Sequence, residues 1–126
     1  MERGYLLVNL SHLHLRSLRD ITDNYVSVHW DDRFYFSNAY NSSQAQQYSI
    51  TLNHNIVLPL SDSSTLSLQL QAWENHMIIF QHQVDLGELK TRTATRKRVE
   101  IRQGEILDLT VHMLKENEFY LSDIYN

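Results

Sequence analysis

The sequence contains no cysteine, one proline and only three glycines. Without cysteine there is no disulfide scaffold, zinc ribbon, thiol nucleophile or redox pair. Such a composition is compatible with a reducing compartment and so with a cytoplasmic location. No apolar run approaches the ~18 residues that span a bilayer. The opening residues MERGYLLVNLSHLHL alternate too early for the apolar stretch of a signal peptide. The N-x-S matches at Asn9 and Asn41 therefore carry little weight. Isolated glycines leave no phosphate-cradling loop. A net charge of −4 over 126 residues argues against a nucleic-acid-binding domain. The length gives one domain with one core.

What is present is alternation. Apolar residues at every second position mark strands half-buried on one face. Leu6, Val8 and Leu10 share a face; the phase then shifts and Leu13 and Leu15 continue it, as at a β-bulge. Val26, Val28 and Trp30 alternate next. Asp31-Asp32 supplies a turn, and Phe34 and Phe36 begin the returning strand of a hairpin. Residues 38–47 are polar and read as a loop. Ile50, Leu52, Ile56, Leu58 and Leu60 follow, interrupted at Asn53 to Asn55, with Pro59 suited to a strand end or sheet edge. Leu66, Leu68, Leu70 and Ala72 alternate cleanly, and Met77 to Val84 is β-rich. Val99 and Ile101 predict a short strand, and Leu107 to Met113 the last long one. About eight strands and no long helix predict an all-β antiparallel sandwich over 1–116, with 117–126 a tail or linker. Strand count alone does not separate an immunoglobulin-like sandwich from other eight-stranded ones.

Several segments together resemble a C2 domain. YLLVNLSHLHL is similar to that family's first strand. Thr22 to Trp30 (TDNYVSVHW) resembles its S-D-P-Y-V-x-V strand, with Asp23 and Tyr25 matching. His54 to Asn75 resembles the W-N-E-x-F-x-F-P-L stretch, its turn and the strand ending V-x-D-x-D, and Ile78 to Leu89 takes the place of I-G-x-x-x-I-x-L. The resemblance implies an eight-stranded sandwich in which calcium-binding members hold the ion with carboxylates from two loops. Here those degenerate positions are Asp20, Asp23, Glu74 and His76. Calcium takes six to eight hard oxygen ligands, so an imidazole and three acids leave the site underliganded. The expectation is no bound metal, no cofactor and no calcium switch.

Charge is uneven. Lys90, Arg92, Arg96, Lys97, Arg98 and Arg102 face only Glu100 within residues 90–102, a net of +5 that leaves −9 on the other 113 residues. By the resemblance this segment lies in a connection that protrudes, where it is the candidate surface for anionic lipid or an acidic partner. At about 1 kcal/mol per basic residue near an anionic membrane, five charges give roughly 5 kcal/mol, too little to anchor a protein without a second signal. The segment has no interleaved aromatics to stack bases, so nucleic acid is not expected.

The remaining chemistry is thin. His12 and His14 project from one face of an extended segment, a feasible ligand pair but two short of a closed site. His82 alternates with Ile78 and Phe80 and reads as half-buried and hydrogen-bonded. Ser11-His12 and Asp31-Asp32 lack any nucleophile motif, and no enzymatic activity is expected. Tyr25, Tyr35, Tyr40, Tyr48 and Trp73 lie off the apolar stripes, and any that cluster would form a partner-binding patch. The resemblance, with a decayed calcium site, implies a non-catalytic, calcium-independent C2-like module that binds a protein within a larger cytoskeletal, centriolar or ciliary, or trafficking scaffold. A cytoplasmic location at the cytoskeleton or a membrane surface is expected. The alternative is a peripheral-membrane module that binds anionic phospholipid through residues 90–102.

Overall fold

The computed structural model describes residues 4–16, 24–60, 67–87, 93–102 and 104–115. Eight strands follow in chain order: β1 (Gly4–His14), β2 (Asn24–Trp30), β3 (Arg33–Phe36), β4 (Ser49–Leu60), β5 (Ser67–Glu74), β6 (Met77–Asp85), β7 (Ala94–Arg102) and β8 (Glu105–Lys115). They form two four-stranded sheets, β4-β1-β8-β7 and β3-β2-β5-β6, with every pairing antiparallel. The predicted tail beyond residue 116 lies outside the described residues, as do Asp20, Asp23, Lys90 and Arg92.

The period-two pattern explains the layering. Each strand points alternate side chains to opposite faces, so each sheet has one apolar face, and the two faces bury each other. Leu6, Val8, Leu10, Leu58, Leu107 and Leu109 of the first sheet meet Val26, Val28, Leu68, Leu70 and Val84 of the second, all in one core cluster. The Trp30 indole N–H donates to the Pro59 carbonyl oxygen at 2.9 Å, which ties β2 of one sheet to β4 of the other. The phase shift after Leu10 is a β-bulge: the pairing of β1 with both β4 and β8 slips between Leu10 and His12. Asn53 of β4 takes φ 43° there, and its carboxamide oxygen accepts from Asn9 Nδ2 at 3.1 Å. The bulge lets Leu13 return to the core, where it is buried.

Three expectations change. Tyr40 is not an exposed loop residue: its backbone bridges to Asn24, and the ring is buried in the core. His82 is exposed rather than half-buried, because β6 is an edge strand, and its ring stacks against Phe80 at 6.1 Å. The short strand at Val99 and Ile101 extends over Ala94–Arg102. Val99 and Ile101 are the buried apolar residues of this edge strand, so the charged stretch before them carried no β signal.

The β5–β6 connection is a two-residue hairpin. Glu74 pairs with Met77, while Asn75 and His76 both take positive φ, 51° and 63°, as a type I′ turn requires. Both carry a Cβ into the left-handed region, a steric cost that glycine does not have. Replacing His76 with Gly therefore relieves strain and is expected to stabilise the fold by about 0.5–1 kcal/mol. Thermal unfolding should shift upward by a few degrees; a lower midpoint would show that the His76 ring, 6.1 Å from Tyr25, contributes more than its backbone costs.

Candidate functional site

The basic segment is mostly strand rather than protruding loop. From Ala94 onward it forms β7, an edge strand paired to β8. Strand alternation puts Arg96 and Arg98 on the outer face and Val99 and Ile101 in the core. Opposite Arg98 in the register stands Asp108 of β8, and this carboxylate is almost completely buried, its side chain 3% exposed. Arg96 Nη2 donates to Asp108 Oδ2 at 2.7 Å and Arg98 Nε to Oδ1 at 2.9 Å. His14 Nε2 of β1 stands 2.7 Å from Oδ2; an ionised carboxylate only accepts, so that nitrogen carries the proton. Burial alone would push the Asp108 carboxyl up; the hydrogen bonds and charges of Arg96 and His14 outweigh it and hold the group below its ordinary range.

The other members of the segment are placed as follows. Arg102 Nη1 lies 3.6 Å from Glu74 Oε2, a long ion pair joining β7 to the end of β5. Lys97 points the opposite way from Arg96 and Arg98 and is half-buried; among the described residues it is the one cation of the segment without a carboxylate partner. Lys90 and Arg92 lie outside the described residues. The sequence presented a run of like charges. The fold places a buried counter-charge beneath them, supplied by a residue ten positions further along.

Of the four degenerate calcium positions, Asp20 and Asp23 lie outside the described residues. Glu74 faces the Arg102 guanidinium, and His76 occupies the tight turn described above. Among the described residues no three His, Cys, Asp or Glu side chains converge on one point. His12 and His14 do share a face, with ring centroids 6.2 Å apart. His14 is engaged by Asp108, and His12 Nδ1 lies 3.3 Å from the Thr51 hydroxyl.

The second sheet presents a different surface on its outer face. Register places Tyr25 beside Trp73, and their rings stack at 5.5 Å with planes 11° apart. Phe36 meets both edge-on, 5.9 Å from Tyr25 and 6.5 Å from Trp73. Phe34 stacks on His29 at 4.3 Å. The Trp73 indole N–H donates to Ser27 Oγ at 2.8 Å, which fixes the ring in place. Phe34 and Phe36 are 48% and 51% exposed, and Met77 and Ile78 at the hairpin tip are 71% and 43% exposed. Tyr25 and Trp73 were expected outside the core. Phe34 and Phe36 were not singled out, although their register with His29 and Ser27, opposite in phase to buried Val28, marks them as outward-facing. Tyr48 is exposed in the β3–β4 connection, and Tyr35 packs against the core.

The ionic cluster gives a pH prediction. A carboxyl held below its ordinary value stabilises the fold fully above the unfolded pKa of about 3.9, and that contribution disappears as pH falls through the lower folded value. Asp108→Asn is expected to cost about 1–3 kcal/mol at neutral pH. In urea unfolding at a series of pH values, the gap between the two proteins should stay constant down to about pH 5 and close below about pH 4. A gap that persists at the acid end would place its origin in packing rather than charge.

No family model and no curated protein matches the chain. Solved structures do. Human GIVD cytosolic phospholipase A2 superposes with a TM-score of 0.71 at 16% identity over 90% of this chain, which spans only 16% of that enzyme. A C2 domain-containing protein from a putative elicitor-responsive gene gives 0.65 at 16% identity, covering 87% of this chain and 88% of its own. A CC2D1B chain gives 0.65 at 11% identity, covering 86% and 54%. At such identities the likeness speaks for architecture, and it agrees with the two sheets described above: the chain folds as a C2-like domain.

Proposed function

We propose that this chain is a non-catalytic, calcium-independent C2-like module that binds a protein partner, as part of a larger scaffold of cytoskeletal, centriolar or trafficking type. The observation that carries the reading is the aromatic surface of the second sheet. Ordinary solvated surfaces scatter large apolar residues singly; here Phe34, Phe36, Tyr25 and Trp73 touch one another, with Met77 and Ile78 exposed at the neighbouring hairpin tip. Aromatic residues and methionine are enriched where proteins meet proteins. CC2D1B is described as coordinating ESCRT-III activity during the mitotic reformation of the nuclear envelope, and that description supports a role among protein assemblies.

The competing reading, anionic lipid bound through residues 90–102, is weakened by the same geometry. The single charge of Asp108 offsets one of the two carried by Arg96 and Arg98, and Glu74 stands beside Arg102. The attraction available from this part of the segment is thus well below the roughly 5 kcal/mol that five unopposed charges would supply. Calcium independence rests on the hairpin at Asn75-His76, too short to bring further carboxylates to Glu74, and on the guanidinium at that carboxylate.

One experiment separates the readings. The wild type, a Phe34→Ser/Phe36→Ser variant and an Arg96→Ala/Lys97→Ala/Arg98→Ala variant are compared by cross-linking in cells and by sedimentation with phosphatidylserine vesicles, with and without calcium. The expected result is loss of cross-linked partners in the Phe variant alone, and no vesicle binding under either condition. Salt-sensitive vesicle binding abolished in the Arg/Lys variant would favour the lipid reading, and binding that appears only with calcium would contradict calcium independence.

A further inference from the structure

The aromatic cluster ends beside a hollow of about 660 Å³ on the same side of the second sheet. His29 joins the two, stacked on Phe34 and lining the hollow. A glutamine row continues from it: Gln69, the register partner of His29, has Oε1 3.2 Å from His29 Nδ1, pairs with Gln83 across β5 and β6, and donates from Nε2 to Gln81 Oε1 at 3.4 Å. Asp31 and Asp32 of the β2–β3 turn complete the rim, and both are exposed. At the end of this sheet that holds the hollow, Arg33 is the only Lys or Arg among the described residues of its four strands and two hairpin turns, against Asp31, Asp32 and Asp85. Glu74 lies at the aromatic end, beside Arg102. One end of the face is therefore apolar and aromatic. The other is polar, concave and negative.

From these features we infer that the face takes an extended protein segment carrying an aromatic or aliphatic residue at one position and a lysine or arginine four residues away. The inference rests on the protein-binding reading and specifies its partner. Spacing sets the motif. Tyr25 and His29 lie four residues apart on the same side of β2, which is about 13 Å at strand rise. An extended partner repeats that interval between its own residues i and i+4, whose side chains also fall on one side. With the apolar side chain on Tyr25, Phe36 and Trp73, the basic one reaches the hollow. There the carboxylates of Asp31 and Asp32 answer its charge, and the carboxamide oxygen of Gln83, whose nitrogen donates to Ser67 Oγ at 2.7 Å, offers an acceptor for a remaining N–H. An acidic residue at that position meets like charge instead, so the same contact that attracts one segment rejects another.

The two tryptophans supply separate signals. Trp73 is in the face, while Trp30 is buried and bonded to Pro59, so its indole N–H reports folding alone. Three synthetic peptides are titrated at low salt: one with Phe and Lys four apart in a Thr/Val background, one with Glu in place of Lys, and one with Ala in place of Phe. The expected result is a saturable shift of the Trp73 indole signal with the Phe–Lys peptide, weakened at least tenfold by either replacement. In Asp31→Asn/Asp32→Asn the Lys and Glu peptides should bind within about twofold of each other, with the Trp30 signal unchanged. Equal binding of the Lys and Glu peptides to the wild type, or no saturable shift, would overturn the inference. So would movement of the Trp73 signal by neutral phosphatidylcholine vesicles but by no peptide, which would make the face a lipid contact. Loss of cellular partners on Phe34→Ser/Phe36→Ser without peptide binding would leave the protein-binding reading intact and refute only this occupant.

Discussion

The buried Asp108 carboxylate determines what the basic part of this domain can do. A carboxylate removed from water must be compensated by hydrogen-bonded charge, and here the compensation comes from three side chains on two flanking strands: His14 on β1, Arg96 and Arg98 on β7. The contact joins the centre of the first sheet to its edge. It also draws two of the most conspicuous cations in the sequence into an internal interaction while leaving their outer surfaces in water, 65% and 59% exposed. Positive charge that answers an internal carboxylate attracts an external anion less strongly, so the surface that looks most active by composition is partly occupied with holding the sheet together.

The second sheet inverts this arrangement. Its outer face has little positive charge to offset and carries aromatic rings that satisfy one another: Tyr25 on Trp73, Phe36 against both, and the Trp73 N–H on Ser27. Rings held by register and stacking lose little further freedom on meeting a partner, which favours binding. The same register ends β5 and begins β6 in a two-residue turn, beside which Glu74 and Arg102 form a long ion pair.

Much of the fold was legible because burial on one face of a strand writes a period of two into the sequence. The Leu66 to Ala72 run and the phase shift at Leu10 are direct readings of that rule, and the shift corresponds to a real bulge. Tyr40 was misplaced because it enters the core from a polar stretch through a single backbone bridge to Asn24, which leaves no periodic trace. The charged half of β7 was read as a protruding connection because edge-strand residues that face water carry no apolar signal. The site was less legible than the fold. Pairing of Arg96 and Arg98 with Asp108 depends on strand register, and the Phe34–Phe36 row differs from a core-facing row only by which phase of β2 it meets.

The most direct measurement of the charge arrangement is the carboxyl carbon resonance of Asp108, followed by nuclear magnetic resonance as pH is lowered. If the carboxylate is the counter-ion of Arg96, Arg98 and His14, its midpoint falls below the ordinary aspartate value of about 3.9, and it moves upward in Arg96→Ala. A midpoint at or above that value, unmoved by the substitution, would show the two arginines free to serve an external anion and would contradict the account.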